Sequence, residues 1–339
     1  MLLIGIAGIT LTNRECEQLA SPLVSGVVLF TRNFQSRVQV SELIAEIRKL
    51  RPDDGFIVGV DQEGGVVQRF RDGFTRLPAL AKLGALHDRD PAQARARAEE
   101  HAWIMASELR AVDVDISFAP VVDLARGNRI IGSRAFHAHP EVVAELADAY
   151  VRGMHMAGMA VTLKHFPGHG SVLEDTHVEK AVDARDLEAI RRSDLVPFTE
   201  CIRLGVEAVM MAHVIYPAVD TKPAGQSGVW IEDVLRTGLG FEGLVFSDDI
   251  SMAGAGEGGD VGKRLQAHVA AGCDLILACQ PAAVEEALAT ARGLPACAPE
   301  RVATMRGEAT AVWSSLMDNP QRDVFIARLA ELEVSGDSA

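Results

Sequence analysis

The chain is poor in cysteine and in aromatic side chains. Its 339 residues include five cysteines, and only 5% of the residues are aromatic. An odd number of cysteines without a Cys-x-x-Cys pair favours reduced thiols in a reducing compartment over a disulfide framework. Small aliphatic residues dominate the hydrophobic 48% of the composition, which is typical of helices packed on a parallel sheet.

Excess positive charge and long apolar runs are also missing. A formal net charge of −14 repels nucleic acid and anionic lipid, so we expect neither as a partner. No apolar stretch approaches the ~20 residues of a membrane span. The apolar start, Met1–Gly8, lacks a basic leader and predicts a first strand rather than a signal peptide. We expect a cytoplasmic monomer that acts on a small molecule.

Nucleotide-binding signatures are absent, whereas a regular alternation of strands and helices is present. No GxGxxG follows the first strand and no GxxxxGK[ST] occurs anywhere. Seven or eight short apolar runs are visible: Met1–Gly8, Gly26–Phe30, Phe56–Val60, Ile116–Ala119, Ala160–Leu163, Ala208–Ala212, Gly243–Phe246 and Leu275–Leu277. Predicted helices lie near Val38–Leu50, Ala92–Ala111, Glu141–Met156, Ala184–Leu204, Trp230–Gly238, Gly262–Ala271, Ala282–Ala291 and Pro299–Leu316.

The apolar runs predict an α/β fold with a parallel sheet. They are hydrophobic throughout rather than alternating, which indicates that both faces are buried. Their even spacing predicts a single (β/α)8 TIM-like barrel, with irregularity allowed in the first strands. A doubly wound open sheet is the alternative. Because no linker composition interrupts the chain, we expect one catalytic barrel over residues 1–332 and a frayed tail over residues 333–339.

Polar residues follow the apolar runs where each run ends. They are Asp61, Asp123, Lys164 with His165, His213 and Asp248. In a parallel barrel the carboxyl ends of the strands share one rim, so we expect these side chains to converge on one pocket.

The segment from Lys164 to His177 is the most concentrated in titratable groups. It contains KHFPGHG, with Lys164 and His165 first, and then Asp175-Thr176-His177. A carboxylate beside an imidazole suits a general acid near neutral pH. Lys164 could bind a substrate group, stabilise a nearby aspartate, form a Schiff base or make a plain rim ion pair. His169 is interpreted as shaping the loop through hydrogen bonds.

The adjacent carboxylates Asp248 and Asp249 predict a division of roles. Successive strand residues point in opposite directions, so one can face the pocket while the other caps a helix or pairs outside it. The sequence alone does not say which. Asp61 could accept hydrogen bonds from two sugar hydroxyls with support from Arg69, while Arg69 and Arg134 could equally be surface charges.

A metal site is a further possibility that the residues weaken. His165, His169, Asp175, His177 and His213 could supply ligands. A lysine stands among them, however, and no HExxH occurs. We therefore expect no metal and no cofactor.

These motifs, taken together, resemble glycoside hydrolase family 3. The matching segments are Gly26–Asn33, DQEGGVVQRFRDGFTRLP at Asp61–Pro78, Ile116–Asp123, KHFPGHG at Lys164–Gly170, Asp175–His177, Met211–Tyr216 and Phe246–Met252. Within the family, the chain is similar to bacterial cytoplasmic β-N-acetylglucosaminidases of cell-wall recycling. One departure is Val66, where many relatives have arginine; it affects no assigned role.

The resemblance implies a retaining β-N-acetylhexosaminidase. It identifies Asp248 as the nucleophile that forms a glycosyl-aspartate, His177 as the general acid/base and Asp175 as its orienting partner. It also implies a sugar-binding set of Asp61, Arg69, Arg134, Lys164, His165 and His213. The implied substrate is a muropeptide in which N-acetylglucosamine is joined to 1,6-anhydro-N-acetylmuramic acid.

Two other chemistries on the same scaffold remain open. A phosphorylase would break the same bond with phosphate, since a histidine acid/base tolerates an incoming anion. A metal-dependent barrel hydrolase is the other. We also expect the loop Gly168–Val178 to move and to deliver His177 when substrate is bound.

Overall fold

Eight parallel strands form the centre of the part of the molecule that the structure describes. The computed structural model describes residues 1–174, 181–252, 260–308 and 312–334, so the predicted pair Asp175 and His177 lies outside the described residues. The strands in chain order are β1 Leu2–Gly5, β2 Val24–Leu29, β3 Ile57–Val60, β4 Gln62–Gly64, β5 Val67–Gln68, β6 Ile116–Ser117, β7 Thr162–Phe166, β8 Ala181–Val182, β9 Ala208–Met211, β10 Val214–Tyr216, β11 Asp220–Pro223, β12 Leu244–Phe246 and β13 Ile276–Ala278.

The barrel closes through parallel pairing all the way round. One sheet runs in the order β13-β1-β2-β3-β6 and a second in the order β12-β9-β7. Parallel bridges from Val121 to Lys164 and from Phe246 to Leu275 join the two sheets at both edges. The predicted (β/α)8 barrel is confirmed, and each of the eight predicted apolar runs overlaps one of its strands.

Helices surround the strands and bury their apolar faces against them. They are α1 Asn13–Leu19, α2 Arg37–Leu50, α3 Leu80–His87, α4 Pro91–Arg110, α5 Pro140–Met156, α6 Leu187–Arg191, α7 Leu195–Ile202, α8 Val261–Ala271, α9 Pro281–Ala291, α10 Pro299–Ala303, α11 Trp313–Met317 and α12 Pro320–Val334, with a π-helix at Val229–Gly238. Side chains of Ser36, Asp90, Asp186 and Asp260 cap the starts of α2, α4, α6 and α8.

Two predicted helices are wrong as continuous elements. The stretch Ala184–Leu204 forms α6 and α7 with a break at residues 192–194. Pro197 lies in the first turn of α7, and because proline lacks an N–H it favours a helix start there over a helix interior. The stretch Pro299–Leu316 likewise covers two helices, α10 and all but the last residue of α11. Beyond the predicted set, the chain forms α1, α3 and α12, and α12 enters the predicted tail as far as Val334.

Extra strands extend the loops at the carboxyl rim. β4 and β5 form an antiparallel hairpin directly after β3, and Gly64 in it has φ 97°. A Cβ at Gly64 would lie 2.6 Å from the Pro78 carbonyl oxygen, so the turn requires glycine. In the part of the chain that the structure describes, no helix has the length and apolar character needed to cross a membrane.

Candidate active site

A cavity of about 520 Å³ opens at the carboxyl rim of the barrel. Its apolar wall includes Phe30, Phe118 and Met210. Its polar lining consists of Asp61, Arg69, Arg134, Lys164, His165, Asp248, Asp249, Ser251 and Gln280. Six of the predicted site residues therefore meet in one pocket, although they come from four separate segments of the chain.

Asp248 lies in this pocket two residues beyond β12. Its Oδ1 accepts a hydrogen bond of 2.7 Å from the Asp249 N–H. Burial alone would raise the pKa of this carboxyl, but His213, His165, the Asp249 N–H and Lys164 outweigh burial and lower it. The site therefore holds Asp248 as a carboxylate at neutral pH.

Asp249 also borders the pocket, but its oxygens are occupied by structural hydrogen bonds. Oδ1 accepts from the N–H groups of Ser251 (3.0 Å) and Cys279 (3.1 Å), and Oδ2 accepts from the Ser251 hydroxyl at 2.6 Å. Of the two adjacent aspartates, Asp248 thus has more acceptor capacity left among the described residues.

Lys164 is a buried cation shared by two carboxylates. Its Nζ lies 2.9 Å from Asp61 Oδ1 and 2.7 Å from Glu63 Oε1, and the lysine side chain is 2% exposed. Burial would lower the pKa of Lys164, but Asp61 and Glu63 outweigh burial and raise it. The ammonium group is therefore charged, and one of its three protons is uncommitted among the described residues.

Two arginines lie beside the carboxylates that Lys164 contacts, Arg134 at Glu63 and Arg69 at Asp61. Arg134 donates to Glu63 through Nε and Nη2, both at 2.8 Å. Arg69 is looser, since its Nη2 lies 3.8 Å from Asp61 Oδ2. Asp61 Oδ2 therefore has acceptor capacity toward the pocket, as required of a group that binds sugar hydroxyls.

His165 reaches the pocket because β7 is irregular at this point. The register of β7 against β9 shifts between Lys164 and Phe166, which lets the neighbours Lys164 and His165 both line the cavity. His165 Nδ1 lies 2.7 Å from Asp123 Oδ2, and Asp123 Oδ1 accepts from the His169 N–H at 2.7 Å. Asp123 thus orients the imidazole and shapes the following loop.

His213 lies behind the pocket rather than on its wall. It is 1% exposed, it does not line the cavity, and its Nε2 lies 3.1 Å from the Asp249 carbonyl oxygen. Burial lowers the pKa of His213, although Asp248 acts in the opposite direction. It contributes to the site through Asp248 and the backbone beside it.

Glu63 is the main residue that sequence reasoning missed. It is 1% exposed and accepts from both Lys164 and Arg134. A signal was present: residues two apart on an extended segment share a face, so Glu63 belongs with Asp61 in DQEGG. Asp123 was predicted at the rim. Its hydrogen bond with His165 could not be predicted from a sequence pattern, because it depends on the irregularity of β7.

The described groups fit the chemistry of glycoside cleavage. Asp248 is held ionised in the pocket. The cations Lys164 and Arg134 line the cavity as hydrogen-bond donors, and Asp61 offers a hydrogen-bond acceptor. This set can bind the hydroxyls of a sugar ring and supply a nucleophile or electrostatic stabilisation at the anomeric carbon.

The chain is similar to known enzymes over most of its length. Residues 3–298 match the glycosyl hydrolase family 3 N-terminal domain. A β-hexosaminidase of Stenotrophomonas maltophilia strain R551-3 is 59% identical over 293 residues, which are 86% of this chain and 87% of that protein. A β-hexosaminidase of Xylella fastidiosa strain 9a5c is 57% identical over 293 residues, with the same shares covered.

Solved structures of family 3 enzymes are also similar to this chain. NagZ from Neisseria gonorrhoeae in complex with N-trifluoroacetyl-D-glucosamine is 41% identical with a TM-score of 0.90, covering 98% of this chain and 97% of that chain. A family 3 β-N-acetylglucosaminidase from Paenibacillus sp. str. FPU-7 is 30% identical with a TM-score of 0.82, covering 98% of this chain and 67% of that one.

Barrel and pocket together are those of a glycoside hydrolase. The chain belongs to glycoside hydrolase family 3, and its enzyme class is that of the β-hexosaminidases. The predicted family, fold and enzyme class are confirmed.

Proposed function

We propose that this enzyme is a retaining β-N-acetylglucosaminidase that acts through a covalent glycosyl-aspartate. The observation that carries the proposal is Asp248, a carboxylate with a lowered pKa in the pocket at the carboxyl end of β12. An ionised carboxylate beside the anomeric carbon is the group that a double-displacement glycosidase needs.

In the first step, an Asp248 oxygen attacks the anomeric carbon as the glycosidic bond breaks. His177, oriented by Asp175, gives its proton to the leaving oxygen. This assignment comes from the resemblance, because both residues lie outside the described ones. The products of the step are a glycosyl ester on Asp248 and the released aglycone.

In the second step, water attacks the same carbon and gives a proton to His177. The ester bond breaks and Asp248 regains its charge. An imidazole acts as base without placing a second anion beside the nucleophile, which gives a physical reason for a His–Asp pair in place of a second carboxylate. Lys164 and His165 favour the ionised form of Asp248.

The substrate that we propose is a muropeptide with a non-reducing N-acetylglucosamine. Asp61, Arg69, Arg134, Lys164 and His165 would bind its hydroxyls. Support comes from the N-trifluoroacetyl-D-glucosamine bound to the 41% identical NagZ of Neisseria gonorrhoeae. A cytoplasmic location, a monomeric state and a mechanism without a metal remain part of this proposal.

The first test compares chromogenic β-N-acetylglucosaminide with β-glucoside for the wild type, Asp248→Ala and His177→Ala. We expect a strong preference for the N-acetylglucosaminide and a loss of roughly 10³-fold or more in kcat for Asp248→Ala. His177→Ala should lose less, because a good aryl leaving group needs little protonation. A larger loss at His177 would contradict the assigned roles.

A second test locates the covalent intermediate and separates the alternative chemistries. A slow fluorinated N-acetylglucosaminide should leave an adduct on the peptide that contains Asp248, read by peptide mass spectrometry. An adduct on another residue, or none, would refute the assignment of Asp248 as the nucleophile.

Faster turnover in phosphate with glycosyl phosphate as product would indicate a phosphorylase. Activity that is lost to a chelator and restored by metal would indicate a metal-dependent hydrolase.

A further inference from the structure

Glu63 is a carboxylate buried directly behind the pocket wall. It is 1% exposed and does not line the cavity, so its carboxylate is not placed to touch the substrate. A buried carboxylate is costly unless cations and hydrogen-bond donors surround it.

Three donors from two pocket residues converge on this carboxylate. Oε1 accepts from Lys164 Nζ at 2.7 Å and from Arg134 Nη2 at 2.8 Å. Oε2 accepts from Arg134 Nε at 2.8 Å. The bidentate pair fixes the plane of the guanidinium, which a single contact would not do.

The geometry determines which donors the pocket can offer. Arg134 has Nε and one N–H of Nη2 committed to Glu63, and Nη1 lies 3.5 Å from the Ile130 carbonyl oxygen, so Nη1 and Nη2 each keep one N–H for a ligand. Lys164 has two protons committed, to Asp61 and to Glu63. Burial would raise the pKa of Glu63, but Arg134 and Lys164 outweigh burial and lower it, so Glu63 is a carboxylate at neutral pH.

We propose that Glu63 is a positioning residue for sugar binding. It acts through Arg134 and Lys164, holding their remaining N–H groups toward the cavity and supplying a counter-charge to both. This inference rests on the proposed function, since it takes the sugar as the ligand of those N–H groups.

The test is Glu63→Gln, measured by the KM for a chromogenic β-N-acetylglucosaminide and by calorimetric binding of free N-acetylglucosamine. A glutamine must place its NH₂ against Lys164 or Arg134, which sets donor against donor. We expect both the KM and the dissociation constant to rise between about 10-fold and about 100-fold, because Arg134 and Lys164 lose their fixed geometry. The kcat should fall less than the KM rises, since Asp248 is intact.

Glu100→Gln is the matched control. Glu100 is 5% exposed on α4, accepts from Arg97 at 2.6 Å and from Arg328 at 2.8 Å, and does not line the cavity. It therefore carries the same type of buried carboxylate with two cations, away from the sugar. We expect a comparable loss of thermal stability in this variant and an unchanged KM.

Glu63→Asp keeps the charge and shortens the side chain, so its KM should lie between those of the wild type and Glu63→Gln. It also serves alone if Glu63→Gln fails to fold. An unchanged KM in the Glu63 variants, or an equal KM increase in Glu100→Gln, would overturn the inference. If the wild type binds N-acetylglucosamine without hydrolysing the glycoside, the proposed function fails and the binding data still decide the role of Glu63.

Discussion

At the scale of single residues, hydrogen-bond partners separate two neighbouring aspartates. Asp249 accepts from two backbone N–H groups and one hydroxyl, whereas the one hydrogen bond of Asp248 among the described residues comes from the Asp249 N–H. The three hydrogen bonds of Asp249 stabilise the loop, whereas Asp248, with one hydrogen bond and buried cations nearby, is available for chemistry.

The carboxylate of Asp123 determines which nitrogen of His165 carries the proton. With aspartate, His165 Nδ1 donates to Asp123 and Nε2 is directed elsewhere. In Asp123→Asn the amide oxygen can still accept from the His169 N–H, but the NH₂ group opposes Nδ1 and favours the other tautomer. We expect kcat/KM to fall by about 10- to 100-fold while the fold persists.

A double-mutant cycle with His165→Ala checks this reading of Asp123. If Asp123 acts through the imidazole, Asp123→Asn should cost little more once His165 is already alanine. Independent, fully additive losses would contradict the coupling and assign Asp123 to loop structure alone.

The sequence predicts which residues lie at the pocket when they directly follow an apolar run. It does not predict which side chains pair with one another. Asp61, Lys164 and Asp248 could be predicted because strand ends of a parallel barrel share one rim. The pairing of Asp123 with His165 could not, because it depends on the shift in β7 between Lys164 and Phe166.

At the scale of elements, Asp115 ties the outer helices to the barrel. It is 0% exposed, precedes β6 and accepts from Arg110 (3.2 Å) and the Val58 N–H (2.7 Å), and it forms an ion pair with Arg306 Nε at 3.3 Å. Arg48 on α2 also donates to it, at 2.5 Å. Elements far apart in sequence thus converge on one buried charge.

Asp115→Asn should destabilise the protein by about 3–5 kcal/mol, because buried guanidinium groups lose their counter-charge. Urea unfolding measures this loss. The control is Asp113→Asn, at an exposed residue paired with Arg48 at 3.0 Å, where we expect less than about 1 kcal/mol. Equal losses of stability in the two variants would contradict the role of burial. Neither variant should change the KM, because Asp113 and Asp115 precede β6 and so lie at the ends of the strands opposite the pocket.

Strands were predictable from apolar runs, whereas the short strands at the rim were not. The hairpin of β4 and β5 consists mainly of polar and glycine residues, so its pairing leaves no hydrophobic period. Helix α12 did carry a signal that the prediction omits, since Phe325, Leu329 and Leu332 recur at helical spacing and two of them are buried.

At the scale of the whole molecule, buried neutral histidines link stability to pH. His101 is 0% exposed and lies 3.0 Å from the Pro78 carbonyl oxygen, and burial lowers its pKa to about 4. His268 is also 0% exposed and lies 2.8 Å from the Arg264 carbonyl oxygen, and burial lowers its pKa to about 3. Unfolded histidine titrates near pH ~6.5.

The sign of the effect follows from proton uptake. Above pH ~6.5 these two histidines are neutral in both states, so they contribute no pH dependence. Below it the unfolded chain binds protons that the folded protein excludes until about pH 4 for His101 and about pH 3 for His268. The free energy of unfolding should therefore fall by about 1.4 kcal/mol per pH unit for each imidazole.

Other histidines modify this slope without reversing it. Burial also lowers the pKa of His169 and His213, which adds to the loss of stability in acid. His155 acts in the opposite sense, since its hydrogen bond to Glu207 raises its pKa, but this pair is partly exposed and so contributes less. The carboxylates with lowered pKa values lose their contribution only at lower pH.

Urea unfolding at pH 7, 6 and 5 tests the prediction with His101→Gln, whose amide can still donate to the Pro78 carbonyl oxygen. Because glutamine does not titrate, the variant should lose about 1.4 kcal/mol less stability per pH unit than the wild type between pH 6 and 5. His139→Gln, at an exposed position, is the control and should keep the wild-type slope. If His101→Gln has the same slope as the wild type, His101 takes up its proton in the folded state, and the acid sensitivity belongs to other groups.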